Sequence, residues 1–265
     1  MNPADVAAAL DVAIAAVRDA GSIALEYFRT DMAIDNKLAG IAYDPVTEAD
    51  ERVEAHVRAA INARFPDHQV IGEESGTTGS GPISWIIDPI DGTRAFISGM
   101  PTWGTLLGLV VGGQPVAGVM HQPFTDETFT ADPVRGSRFL HAGTERRLSA
   151  RATATILEDA IMYSTHPSML EWAGVLDRYQ ALSSQVRLQR WGGDCYAFAL
   201  VAMGTIDLVI DGCLMPYDIV PLIPIIELAG GVVTDLEGRV PMGGGTVIAA
   251  ANPELHAHAL AALRG

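Results

Sequence analysis

The sequence predicts a protein of mixed α and β structure, with an α+β first half at residues 1–149 and a layered α/β second half at residues 150–265. Two helical patterns open the chain, and several short runs rich in β-branched residues follow them. After about Ser149, predicted strands alternate with predicted helices. No linker rich in Pro or Ser separates the halves, so we expect them to pack tightly around a cleft that can hold a site.

Two predicted helices begin the first half. Asn2 can cap the first helix, and an alanine-rich amphipathic pattern continues to about Phe28. Thr47 can cap the second helix with Asp50 at its third position, and this pattern ends near Phe65. The strands that follow should form a largely antiparallel meander, at residues 69–72, 84–88, 105–111, 116–121 and 128–131.

The second half is predicted as an alternation of strands and helices. Strands are expected at residues 160–163, 187–190, 208–210, 232–234 and 247–250. Helices are expected at residues 168–179, 196–203 and 218–229, and a last helix should begin at residue 253. Such an order is typical of a sheet with helices on its faces.

Charge and composition narrow the possible functions. The chain has 32 Asp and Glu residues against 17 Lys and Arg residues, and its formal net charge of −15 argues against nucleic acid or an anionic membrane as a partner. Two cysteines are too few for a disulfide framework and indicate a reduced, cytoplasmic protein. The apolar run at residues 209–233 contains acidic residues and prolines, which excludes a membrane-spanning helix.

The strongest local signal is the segment WIIDPIDGT at residues 85–93. An apolar strand ends at Asp88, a proline fixes the turn, and Asp91 follows three residues later, so that two carboxylates can share a hard divalent cation. Gly92 and Thr93 offer backbone N–H groups where a phosphate oxygen is favoured. A structural turn with two capping aspartates explains this segment about equally well.

Further acidic residues lie at the ends of other predicted elements. Glu73 and Glu74 follow a strand, where adjacent carboxylates repel each other unless a cation or solvent offsets the repulsion. Asp50 and Asp218 lie at helix starts, and helix capping is an alternative role for both. The combination of these acids with Asp88 indicates a cation site more specifically than any one of them.

Together these segments resemble the magnesium-dependent, lithium-sensitive phosphatases typified by inositol monophosphatase. The resemblance spans nearly the whole chain, through residues 44–50, 72–75 and 85–93 and through the segment from Asp218 to the glycine pair 230–231. It implies a layered αβαβα sandwich that binds two to three Mg²⁺ ions, with Mn²⁺ as a possible substitute and Li⁺ as an inhibitor. It also implies a homodimer that hydrolyses a small phosphate monoester.

The resemblance assigns metal ligands residue by residue. Glu73, Asp88 and the backbone carbonyl of Ile90 would hold one ion, and Asp88, Asp91 and Asp218 would hold a second. A third, weaker ion would lie near Glu73.

Other residues receive roles around the attacking water and the phosphate. Asp50 would hold water in the outer shell and orient Thr47, which with Thr93 would position the attacking water. Glu73 and Thr93 would take the proton of that water. The N–H groups of Gly92 and Thr93 would bind phosphate, and Lys37 matches a lysine that the family places near the site.

Two departures from the common inositol pattern favour another substrate. The segment at residues 192–196, Gly-Gly-Asp-Cys-Tyr, and the pair Tyr217-Asp218 look like the histidinol-phosphate phosphatases of this superfamily, enzymes of histidine biosynthesis. Histidinol phosphate carries an ammonium group and an imidazole, so its pocket should offer anions, and Asp194 and Asp211 are candidates. An N-cap role explains Asp194 about as well.

Several other residues are weaker candidates for the substrate pocket. Core packing explains the two tyrosines among them almost as well as pocket lining does. His68, His121 and His166 lack metal-ligand spacing and are expected on the surface or in loops. The weaker candidates are Ser164, Glu74, Cys195, Tyr196 and Tyr217, and Asp91 is expected to contact substrate as well as metal.

Three functions are therefore compared. The first is a histidinol-phosphate phosphatase, and the second is an inositol monophosphatase or a broad sugar or nucleotide monophosphatase. The third is a protein-binding factor of transcription complexes, a role that some bacterial relatives of the inositol enzymes have. The net charge and the lack of a basic patch argue against the third.

Overall fold

The computed structural model describes residues 1–31, 35–36 and 45–264, which contain nine α-helices and fifteen strands. The helices are α1 (Pro3–Tyr27), α2 (Glu48–Arg64), α3 (Thr93–Ile97), α4 (Pro167–Trp172), α5 (Leu176–Ser183), α6 (Asp194–Met203), α7 (Pro216–Ile219), α8 (Leu222–Glu227) and α9 (Pro253–Arg264). The strands are β1 (Asp35–Asn36), β2 (Pro45–Val46), β3 (Gln69–Gly72), β4 (Gly76–Thr78), β5 (Ile83–Asp91), β6 (Gly104–Val111), β7 (Gln114–Gln122), β8 (Glu127–Asp132), β9 (Gly136–His141), β10 (Thr144–Arg147), β11 (Ile161–Ser164), β12 (Leu188–Trp191), β13 (Leu208–Leu214), β14 (Val232–Asp235) and β15 (Gly245–Ala250).

Two sheets carry most of these strands. The larger has eight strands in the order β10-β9-β8-β7-β6-β5-β3-β4, and within it β3 and β5 are parallel while the other neighbours are antiparallel. The smaller has five strands in the order β12-β11-β13-β15-β14, and β11 is parallel to both of its neighbours. Strands β1 and β2 pair with each other.

Helices separate and cover the two sheets. Alternate residues of β5 point to opposite faces, so Trp85 packs against α1 and α2 while Ile86 packs against the layer of α6 and α8. In the smaller sheet, Val209 faces the same α6 and α8 layer, whereas Leu208 faces the outer helices α5 and α9. The five layers are therefore helix, sheet, helix, sheet and helix, which confirms the predicted αβαβα sandwich.

The structure divides two helices that the sequence predicts as continuous. The helix expected at residues 168–179 is interrupted at Gly174, which has a left-handed backbone with φ of 71°. The helix expected at residues 218–229 is interrupted before α8, where Pro221 lacks an N–H group.

Other boundaries also differ from the predicted ones. The hairpin of β9 and β10 was not predicted, and α6 begins two residues before its expected start at Tyr196.

His121 lies inside β7 and is 3% exposed, so its predicted surface or loop position is wrong. The division of the chain between residues 149 and 150 stays a prediction. Among the described residues, no helix has both the length and the apolar character that a membrane crossing requires.

Candidate active site

A bulge at the end of strand β5 brings two aspartates to the same side of the sheet. Asp88 pairs with Leu106 and Asp91 pairs with Gly104, so the two residues between the aspartates lie opposite only one residue of β6. In a regular strand, residues three apart point to opposite faces. The extra residue of the bulge reverses the second side chain, and both carboxylates line one cavity of about 330 Å³.

A third aspartate reaches this cavity from the start of helix α7. The side chain of Asp218 caps its own helix, because its Oδ2 atom accepts a hydrogen bond of 2.7 Å from the backbone N–H of Met215. Helix α7 packs against the strands β5 and β6. Carboxylate oxygens of Asp88, Asp91 and Asp218 all lie within 4.8 Å of one another, which is close enough to hold a single cation.

The electrostatics of this acidic cluster also fit a cation. Burial raises the pKa of Asp88 well above its ordinary value, and the negative charges of Glu73, Asp91 and Asp218 raise it further. Burial, followed by the charges of Asp218 and Asp194, raises the pKa of Asp91 in the same direction. The pKa of Asp218 is raised to about 7, mainly by burial. Oδ1 of Asp88 is buried and accepts no hydrogen bond from the described residues, so it is free to act as a metal ligand.

Most of the predicted site residues meet at this cavity. The backbone carbonyl of Ile90 accepts a hydrogen bond of 3.1 Å from Oγ1 of Thr93, so a predicted metal ligand and a predicted water-positioning hydroxyl are in contact. The predicted residues that line the cavity are Glu73, Asp88, Ile90, Asp91, Gly92, Thr93, Asp194, Cys195, Asp211, Tyr217 and Asp218.

Gly92 allows the end of the 85–93 segment to lie close to the segments that contain Asp194 and Trp103. Its backbone is left-handed, with φ of 82°, and a Cβ atom at this position would lie 2.9 Å from Cβ of Asp194 and 3.2 Å from Cα of Trp103. Any larger residue would be strained by its backbone and would also displace the neighbouring segments.

Asp194 does not cap helix α6, so the capping alternative is wrong. Gly193 is the N-cap residue, and no side chain caps this helix. Oδ2 of Asp194 instead accepts a hydrogen bond of 2.8 Å from Oγ1 of Thr102. Burial raises the pKa of Asp194, while Thr102 and the charge of Arg94 oppose that change. The carboxylate of Asp194 is thus held at the cavity wall.

The neighbouring residue Cys195 supports the acidic cluster through its backbone. Its N–H group donates a hydrogen bond of 2.7 Å to Oδ2 of Asp91. Burial raises the pKa of its thiol well above the ordinary value, and the charge of Asp91 adds to this effect. A protonated, buried thiol is a poor nucleophile, so the contribution of Cys195 is the hydrogen bond from its backbone N–H to Asp91.

Asp211 lines the cavity from within strand β13, and its hydrogen-bond partners lie at the end of the neighbouring parallel strand β11 and just after it. The Asp211 carboxylate accepts hydrogen bonds from Oγ of Ser164 (2.8 Å) and from the N–H and Oγ1 of Thr165 (2.7 and 2.9 Å). Burial raises the pKa of Asp211 to about 6. Ser164 is 1% exposed and is not among the described residues that line the cavity, whereas Thr165 lines it, so a role of Ser164 in substrate binding stays a prediction.

Thr47 and Asp50 form a buried capping box at the start of α2. Oδ2 of Asp50 accepts hydrogen bonds from Oγ1 (2.6 Å) and N–H (2.9 Å) of Thr47. Within the described part of the chain, neither residue is among those that line the cavity. The capping alternative for Asp50 is therefore confirmed, and its role in the outer metal shell stays a prediction.

Two weaker candidates, Tyr196 and Glu74, are not among the described residues that line the cavity. The hydroxyl of Tyr196 donates a hydrogen bond to Oε2 of Glu127, and its ring packs edge-on against Phe129, so Tyr196 belongs to the core and not to the cavity lining. The backbone N–H of Glu74 faces α2. Lys37 lies outside the described residues.

Sequence reasoning missed several residues that line the cavity. Trp172, at the end of helix α4, is 60% exposed, although large aromatic side chains are usually buried. Thr165 could have been identified from its position after a predicted strand, but nothing in the local pattern distinguishes Trp172 from a surface residue. The cavity-lining residues that were missed include Arg94, Thr165, Met169, Trp172 and Met215.

Comparisons with known proteins agree with this architecture. Residues 5–265 match the Inositol monophosphatase family. The bifunctional phosphatase IMPL2, chloroplastic, of Arabidopsis thaliana is 34% identical over 92% of this chain and 71% of its own length. The histidinol-phosphatase of Chlorobaculum parvum is 34% identical over 96% of each chain. The solved structure of an inositol monophosphatase from Zymomonas mobilis superimposes with a TM-score of 0.82 at 32% identity, over 96% of this chain and 97% of that one.

Proposed function

The chain belongs to the inositol monophosphatase family, and from that premise we propose that this phosphatase is a magnesium-dependent histidinol-phosphate phosphatase. Its reaction would convert L-histidinol phosphate and water to L-histidinol and phosphate. The observation that carries the metal-dependent part is the cluster of the buried Asp88 with the half-buried Asp91 and Asp218, in which one oxygen of Asp88 lacks a partner among the described residues. The choice of histidinol phosphate as the substrate is based on the carboxylate of Asp194 at the cavity and on the similarity to histidinol-phosphatases.

The metal ligands in this proposal are those that the sequence predicts. Glu73, Asp88 and the carbonyl of Ile90 would hold one Mg²⁺ ion, and Asp88, Asp91 and Asp218 would hold the other. When bound, the ions would activate a water molecule as the nucleophile and stabilise negative charge on the leaving oxygen. The set contains only oxygen donors, which favours Mg²⁺ or Mn²⁺ over softer metals.

The remaining residues of the cavity would position the water and the phosphate. Thr93, whose hydroxyl lies 3.1 Å from the Ile90 carbonyl, would orient the attacking water, and Glu73 would accept the proton of that water. Backbone N–H groups of Gly92 and Thr93 would bind the phosphate oxygens. Asp50, through its hydrogen bond to Thr47, would support this arrangement from behind.

The walls of the cavity suit a cationic and aromatic leaving group. The Asp194 carboxylate lines the cavity and would pair with the ammonium group of histidinol. Thr165 donates its hydroxyl hydrogen to Asp211, so its Oγ1 atom remains an acceptor for a substrate N–H group. The exposed ring of Trp172 offers a face for the imidazole or the ammonium group. Inositol phosphate has no cation that would use these groups.

A panel of phosphate esters tests this proposal. With Mg²⁺ present, we expect kcat/KM for L-histidinol phosphate to exceed that for inositol 1-phosphate by at least about tenfold, since a charge-assisted hydrogen bond is worth more than 1.4 kcal/mol. A chelator should abolish both activities, and Mg²⁺ should restore them. An Asp91→Asn protein purified in the same way controls for contaminating phosphatases. Faster turnover of inositol 1-phosphate would instead assign the inositol monophosphatase function, which the similarity to the Zymomonas mobilis protein supports.

A homodimer in the cytoplasm is part of the same proposal. Light scattering after gel filtration would measure the mass of the protein in solution, and a value of 28.0 kDa would contradict the dimer.

A further inference from the structure

A buried glutamate on helix α2 contacts the backbone next to the predicted metal ligand Glu73. Glu54 is 0% exposed. Its Oε2 atom accepts a hydrogen bond of 2.7 Å from the N–H of Glu74, and its Oε1 atom accepts one of 3.0 Å from the N–H of Ser75. The carboxylate thus binds the two residues that directly follow Glu73.

Arg58, one turn further along α2, holds this carboxylate in place. Its Nη2 atom lies 2.8 Å from Oε1 of Glu54 and also donates to the carbonyl of Gly76 at 2.8 Å. Its Nη1 atom donates to the carbonyl of Val70 (3.1 Å) and to Oγ1 of Thr78 (2.7 Å). One ion pair therefore binds strand β3, the turn after it and strand β4, and the charge of the buried glutamate is compensated.

The residue before Glu73 also contacts this carboxylate. A Cβ atom on Gly72 would lie 2.4 Å from Cδ and from Oε1 of Glu54, so only glycine allows the strand to approach this closely. Glu73 is thus fixed on both sides, by close packing at Gly72 and by hydrogen bonds at Glu74 and Ser75. The side chain of Glu73 lines the same cavity as Asp88.

We infer that Glu54 is a positioning residue, which with Arg58 fixes the backbone around Glu73 and so places the Glu73 carboxylate at the cavity. The assignment of a metal to Glu73 rests on the proposed function, whereas the effect on the backbone does not. Side chains that orient a metal ligand affect metal affinity by about 10-fold to 100-fold when they are changed.

The variant Glu54→Gln tests this inference, because it preserves the shape of the side chain but replaces one acceptor oxygen with an NH₂ group. In the metal-free protein, we expect amide hydrogen exchange of the peptide at residues 72–78 to become at least about tenfold faster. We also expect the Mg²⁺ dissociation constant, measured by calorimetry, to rise by about tenfold.

Asp207→Asn is the matched control. Asp207 is another fully buried carboxylate that binds an arginine, Arg151, and a backbone N–H group, that of Ile161, and it is not among the described residues that line the cavity. This variant should lose stability to urea by a similar amount and leave the Mg²⁺ dissociation constant unchanged.

A second variant keeps the test decisive if Glu54→Gln does not fold. Gly72→Ala disturbs the same contact from the strand and should also speed exchange at residues 72–78 and weaken Mg²⁺ binding. The inference is overturned if the folded variants show wild-type exchange in this peptide. If wild-type protein binds no Mg²⁺ and hydrolyses no phosphate ester, the proposed function fails, but faster exchange in the variants still supports the positioning role.

Discussion

The backbone N–H of Cys195 donates a hydrogen bond of 2.7 Å to Oδ2 of Asp91. Asp91 ends strand β5 of the larger sheet, and Cys195 is the second residue of helix α6, which lies between the sheets. The residue before it, Asp194, lines the cavity beside Gly92. This bond therefore links the predicted metal cluster to the part of the cavity that Asp194 lines. A displacement of Asp91 should also displace Asp194, and the reverse.

Asp91→Asn should remove activity and leave the fold intact. The amide oxygen can still accept the Cys195 N–H bond, but the side chain is a weaker cation ligand, and we expect kcat to fall by at least about 100-fold on every phosphate ester. Because burial, and then the charges of Asp218 and Asp194, oppose ionisation of Asp91, the metal-free variant should melt at a higher temperature than the metal-free wild type. Steady-state kinetics and calorimetry measure the two effects. Wild-type turnover by this variant would contradict the two-metal site.

Asp194→Asn should change specificity more than overall activity. Asparagine tolerates the left-handed backbone of this residue, with φ of 45°, and its side-chain oxygen can still accept the Thr102 hydrogen bond. The loss of charge should lower kcat/KM for histidinol phosphate by about tenfold or more, and for inositol 1-phosphate by much less. The ratio of the two kcat/KM values is the measurement, and equal losses on both esters would assign Asp194 a structural role.

The sequence predicts the local part of the site well. Asp88, Pro89, Asp91 and Gly92 are close together in the chain, and turn chemistry together with the charge of the aspartates indicates a turn that can hold a cation. The strand is expected to end at Asp88, whereas β5 continues through a bulge to Asp91. Asp218 is about 130 residues away, and only the resemblance to a family placed it beside them. Periodicity does not report contacts between distant elements.

The burial of Glu54 was missed because it depends on a contact between distant elements. A glutamate in an amphipathic helix pattern resembles a surface residue, and Glu54 is buried because the turn after β3 packs against α2. The interruption of two helices at Gly174 and Pro221 follows from single residues within otherwise helical patterns. Local propensity gives the kind of each element more reliably than its ends.

Gly92→Ala should damage the site through a close contact. The substitution places a Cβ atom 2.9 Å from Cβ of Asp194 and adds a strained backbone, so we expect a loss of unfolding free energy of about 1–3 kcal/mol and at least a tenfold fall in kcat/KM. Gly112→Ala is the control, because Gly112 has a similar left-handed backbone with φ of 59° and no atom within 4 Å of its added Cβ. If kcat/KM fell equally in both variants, the close contact between residue 92 and Asp194 would not be the cause of the loss.

His121 should make the stability of the protein depend on pH. The side chain is buried in β7, and its Nδ1 atom lies 2.9 Å from Oγ1 of Thr128 and 3.2 Å from the carbonyl of Glu127. Burial, and then the charge of Arg18, lowers the pKa of His121 from 6.5 to about 4, although the Glu127 carbonyl and the charge of Asp126 oppose this change.

The unfolded chain therefore binds a proton at this histidine between pH 6.5 and about pH 4, where the folded protein does not. The contribution of His121 to the free energy of unfolding is complete above pH 6.5 and falls by up to about 3 kcal/mol as the pH drops to about 4, since each pKa unit corresponds to about 1.4 kcal/mol. His121→Asn, whose amide can replace the Nδ1 hydrogen bond, should lack this contribution. Urea unfolding of both proteins without metal across this pH range measures the difference, in which the carboxylates common to both cancel. Parallel curves of unfolding free energy against pH would show that His121 is not the cause.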